Sequence, residues 1–147
     1  MTAPVPSGAS DPDAVWADAM APSLNLIEQL ARQAYAELPA DFRKLCGDIV
    51  FQVAEFADQE ILDDMGIPDP FELMGLFEGQ GLAALTDPMT GQEPNRITLY
   101  RRAMLDYWCE HEETLRAVVA HVLIHEIGHH FGLSDADMEA LEAQADA

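Results

Sequence analysis

The chain has 147 residues, 49% of them apolar, and sets seven basic side chains against 27 acidic ones for a formal charge of -20. That length suits one domain with a sizeable core and is too short for a large two-domain protease. The charge argues against a general nucleic-acid binder or an anionic-membrane binder, because Lys44 is the single lysine and no basic patch hides within the average.

Residues 1–12 carry three prolines, a glycine and two serines and read as a disordered tail, with residues 13–147 forming one domain. From Leu24 to Leu38 apolar residues recur at three and four, which predicts an amphipathic helix with Ser23 as N-cap and Pro39 as its stop. A helical turn follows over Ala40 to Leu45. Ile49 to Phe56 is β-branched and aromatic, which predicts a strand with Gln52 toward solvent. Asp58 to Met65 reads as a short helix closed by Gly66, and Leu73 to Glu78 as a strand after a turn. Leu85 to Pro94 is polar and bears proline and glycine, the composition of a loop. Arg96 to Arg101 predicts another strand, and Ala103 to Cys109 a helix.

The longest predicted helix runs from His111 to Phe131, with Gly132 as the residue that ends it. Ser134 or Asp135 then caps a last helix over Ala136 to Ala145. Helices and a few strands without repeats make an α+β domain. Cys46 and Cys109 are the only cysteines, and their spacing reads as two separate thiols. The first residues, MTAPVPSGASDPD, do not have the pattern of a secretory signal, and no run approaches a membrane span, so the expected location is cytoplasmic.

All five histidines fall between positions 111 and 130, and His125 to His129 spell HExxH inside the longest helix. Residues four apart on a helix point within about 40° of each other, so both imidazoles reach one ion from one face. Glu126 lies on the flank, where its carboxylate suits a general base toward a water activated by the ion. A catalytic zinc needs a third protein ligand. After His129, Gly132 allows a sharp turn, and Asp135 completes HExxHxxGxxD, although capping of the last helix explains the same aspartate. His121 stands one turn before His125, as a substrate-facing residue or a half-buried histidine. His130 points away from His129 and reads as structural or surface, and nothing decides between capping and site roles for His111. Asp106 and Glu110 are alternative carboxylate ligands. Tyr100, Tyr107, Arg101 and Arg102 are the candidate oxyanion helpers. The strand from Arg96 to Tyr100 is either an edge that pairs with a peptide or a central core strand.

The runs PADF (Pro39 to Phe42), IVFQVAEFA (Ile49 to Ala57), GIPDPFELMGLFEG (Gly66 to Gly79), PNRITLYRRAMLDY (Pro94 to Tyr107) and VLIHEIGHHFGLSDADM (Val122 to Met138) occur in that order. In them the chain resembles the small bacterial zincin-like metallopeptidases, the minimal zincins, over about Leu30 to Leu141. The resemblance implies a minimal zincin-like α+β fold, with a small sheet packed against the HExxH helix. It also implies Zn2+ on His125, His129 and Asp135, with Glu126 as the base. The expected activity is zinc-dependent hydrolysis of a peptide or protein substrate. Two alternatives stand beside it, a metal-binding interaction domain that does not cleave and a zinc hydrolase of a small amide.

Overall fold

The structure, a computed structural model, describes residues 12–79 and 94–145. The expected tail lies outside the described residues up to position 11, as does the expected loop up to position 93, so neither is assessed. Pro12–Ala17 form a first short helix, α1. Ser23 caps α2 (Leu24–Ala36), its hydroxyl accepting from the Leu26 N–H at 3.1 Å, and Ile27, Ala31 and Ala34 form the buried stripe. After α3 (Ala40–Cys46) comes β1 (Ile49–Ala54), which turns Ile49, Phe51 and Val53 toward the core and leaves Gln52 exposed. Helix α4 (Gln59–Met65) ends at Gly66, and a 3-10 turn at Pro70–Glu72 leads into β2 (Gly75–Glu78).

The third strand, β3 (Asn95–Tyr100), is the middle of the sheet, whose order is β1-β3-β2. It runs parallel to β1 and antiparallel to β2, so its backbone groups are used on both sides. Of the two expectations for this segment the structure selects the core strand, and Ile97 and Leu99 are buried accordingly. Among the described residues the edges are β1 and β2.

Three helices follow: α5 (Arg101–Glu110), α6 (Leu115–His130) and α7 (Asp135–Ala145). Helix α6 starts four residues later than the expected His111. Thr114 is its N-cap, the hydroxyl accepting from the Ala117 N–H at 3.1 Å. His111 instead closes α5, stacked on the Tyr107 ring. The HExxH helix packs on α2, β2, β3 and α7, burying Val118, Val119, Leu123, Ile124 and Ile127. Its apolar face is broad because it has neighbours on several sides.

Gly132, at φ 75, turns the chain back along α6. Ser134, not Asp135, caps α7: its hydroxyl accepts from the Asp137 N–H at 3.1 Å, and Asp135 becomes the first helical residue. Gly128 decides how closely α7 approaches, since a Cβ there would lie 2.6 Å from the Met138 sulfur, itself fully buried. The fold is α+β, a small mixed sheet with helices packed against it. Among the described residues no helix is long and apolar enough to cross a membrane.

Candidate metal centre

Helix α6 presents different chemistry on its two flanks. Toward β2 it carries Glu126. A Cβ on Gly75 would lie 2.8 Å from Val122 Cγ1 and 3.3 Å from Glu126 Cγ, so only a glycine lets the strand come this close. The strand and the helix together strip water from the carboxyl, and this burial pushes Glu126 up to about 7. A carboxyl there exchanges a proton near neutrality, which suits a group that must accept a proton and return it.

Toward α7 the same helix carries His121 and His125, their ring centroids 4.1 Å apart. Glu142 reaches both from two turns along α7. Its Oε1 meets His121 Nδ1 closely and lies 3.1 Å from His125 Nε2. Neither contact has hydrogen-bond geometry, so His125 Nε2 and Glu142 Oε1 are buried without a hydrogen-bond partner. Burial and the neighbouring His121 hold His125 below the ordinary histidine value, which keeps a lone pair free on the ring. His121, His125 and Glu142 bring one ligand atom each to within 4.8 Å of one another. Two imidazoles and a carboxylate with orphaned buried donors form a set capable of holding a divalent transition ion.

Of the residues expected from sequence, His125 and Glu126 are half-buried on opposite flanks of α6. His129 is exposed, its ring centroid 5.7 Å from that of His125. Asp135 is exposed at the start of α7. Among the described residues no group of three ligand atoms within 4.8 Å includes His129 or Asp135. Glu142 has no distinguishing local signal, being one of four acids in the final helix. Its partners lie on another element.

The remaining candidates have structural engagements. His130 packs on Phe77 of β2 at 4.3 Å between centroids, in keeping with the structural role expected of it. His111 Nδ1 lies 2.7 Å from the Tyr107 carbonyl. Arg101 donates to Glu55 at 2.8 Å and to the Pro22 carbonyl at 2.6 Å, and Arg102 covers the Phe56 ring. Tyr100 is buried at the end of β3, which pushes its phenol up. Tyr107 donates to Glu113, which with His121 and Glu142 lines a small recess between α6 and α7. Asp106 and Glu110 do not join the ligand cluster.

The family model of zincin-like metallopeptidases matches residues 46–145, more than half of the chain. The chain belongs to that family. The match takes in all three strands, both flanks of α6 and the whole of α7, while α1 and α2 precede it. A search of the curated proteins found no match. In this zincin-like chain the HExxH helix supplies two of the three residues of the metal-capable cluster, and its His125 Nε2 is buried without a hydrogen-bond partner.

Proposed function

We propose that the chain is a zinc-dependent metallopeptidase that hydrolyses peptide bonds with Glu126 as general base. The observation that carries the reading is Glu126 itself, held near neutrality against the edge strand β2 on the helix that bears His125. The ion's ligands in this reading are His125 and His129, with Asp135 as the third. When bound, zinc supplies Lewis acidity for a water and for the scissile carbonyl.

The work of the chain's own groups follows from their positions. Glu126 takes a proton from the attacking water at its carboxylate and returns it to the departing amine. The edge of β2 that no described strand pairs offers backbone N–H and C=O groups to an extended peptide, antiparallel or parallel, beside that carboxylate. The acidic excess of the chain favours neutral or basic peptides over acidic ones and disfavours nucleic acid. A cytoplasmic setting belongs to the same proposal, and the free thiols Cys46 and Cys109 suit it.

The test is zinc analysis of the purified chain together with peptide-library turnover, wild type against Glu126→Gln. Both proteins are expected to hold one zinc, and the substitution to cut turnover by about 100-fold or more. Stoichiometric zinc without turnover by the wild type across a broad library would replace the peptidase with the metal-binding interaction domain. Turnover confined to small amides would replace it with the small-amide hydrolase.

A further inference from the structure

The histidine stripe on α6 is longer than one metal centre requires. His121, His125 and His129 follow each other at intervals of four, with the His125 ring between the other two. Helix α7 returns beside them and carries four carboxylates, of which Asp135 lies in its first turn and Glu142 seven residues further on. At ~1.5 Å per residue those two lie roughly 10 Å apart along the helix, too far to serve one ion together. The midpoints of the two histidine pairs on α6 are offset by about 6 Å on the same basis.

We propose that the α6–α7 pair provides two mutually exclusive cation positions that share His125. One is formed by His125, His129 and Asp135, and the other by His121, His125 and Glu142. An imidazole nitrogen has one lone pair, so His125 Nε2 serves one ion at a time. The second position is the one whose ligand atoms are already gathered, and its buried nitrogen and carboxylate oxygen have no hydrogen-bond partner among the described residues. Glu113 lines the same recess as His121 and Glu142.

Exclusion has a thermodynamic consequence. Both states hold one ion, so their ratio does not depend on how much metal is present, only on the relative affinity of the two ligand sets. An ion held by His121, His125 and Glu142 sits a turn away from the position beside His129. Any influence that draws Glu142 off α6 therefore shifts the ion toward His129. That catalytic meaning rests on the metallopeptidase reading above, whereas the existence of the second position rests on the His121, His125 and Glu142 geometry alone.

Co2+ titrated into the full chain tests this, with stoichiometry and visible absorption as readouts. The wild type is expected to bind one Co2+ per chain with a spectrum composed of two components. Glu142→Gln is expected to remove one component and Asp135→Asn the other, each still binding one ion, while His125→Ala abolishes tight binding. His121→Gln should reproduce the Glu142→Gln spectrum, which guards against a folding artefact in either protein. In the zinc-loaded chain Glu142→Gln is expected to raise kcat at unchanged KM by ~2-fold or more, as the ion moves to the catalytic position. Two tightly bound ions per wild-type chain would overturn the exclusion. An unchanged spectrum in both Glu142→Gln and His121→Gln would overturn the second position. Split spectra in a chain that never turns over peptide would sustain the two positions and sink the peptidase reading instead.

Discussion

The two flanks of α6 show how one helix tunes acid and base groups in opposite ways. On the β2 side Glu126 has no charged partner among the described residues, and its proton affinity rises through burial beside a glycine-bearing strand. On the α7 side His125 lies among His121, His129 and Glu142, and burial with the neighbouring imidazole lowers its proton affinity. Both groups are thereby biased toward their neutral forms, one by backbone proximity and the other largely by side-chain crowding. Where an acid needs only to be dried, a glycine suffices. A donor set for a cation needs side chains from two helices.

The largest expected effect that separates the flanks is catalytic. Glu126→Gln should lower turnover by about 100-fold or more while metal content holds, whereas His125→Ala should lose metal and turnover together. Metal analysis and peptide cleavage on the same samples distinguish the two. Equal metal loss in both would break the division of labour.

The next effect is on stability in the metal-free protein. Glu126 is raised from 4.5 to about 7 in the folded chain, so its neutral form is favoured and its burial costs nothing at low pH. The cost grows as pH rises from about 4.5 through about 7, and Glu126→Gln should remove it. The variant is expected to be more stable than wild type by up to about 2–3 kcal/mol at pH 8, with the gain vanishing near pH 4. His125 acts in the opposite sense. Its folded value lies below the ordinary 6.5, so it destabilises the chain as pH falls through that value. Urea denaturation of wild type, Glu126→Gln and His125→Gln at pH 5 and pH 8 reads both signs.

Gly75→Ala should cost about 1–3 kcal/mol, because the added Cβ must displace the buried Val122 side chain and the Glu126 stem. It should also lower kcat more than metal affinity, as measured by parallel kinetics and metal titration. Smallest is Ser134→Ala, which removes the α7 cap for about 1 kcal/mol by thermal denaturation. By loosening the first turn of α7 it should weaken the Asp135 side of the helix pair more than the Glu142 side.

Local chemistry made much of the fold legible. Ser23 as a cap, Gly132 as a turn and the alternation in β1 all express interactions within a few residues. The sequence places the start of α6 too early because His111 and the acids after it resemble a first turn, while Thr114 supplies the cap and His111 finds the Tyr107 ring instead. The order of the strands had no local signature. Ile97 and Leu99 would be apolar in a central strand or on one face of an edge strand, and only pairing on both sides of β3 distinguishes them.

The sequence by itself determined the HExxH helix. HExxH at helical spacing orients His125, Glu126 and His129 through the backbone repeat alone, and the family match over residues 46–145 takes in that run. Only the tertiary structure decided what surrounds each of them. The dryness of Glu126 depends on a strand some fifty residues away that lacks a Cβ at Gly75, and the partnering of His125 depends on Glu142 across a helix pair. Orientation on a helix is a property of consecutive residues, whereas desolvation and ligand gathering are properties of packing between distant ones.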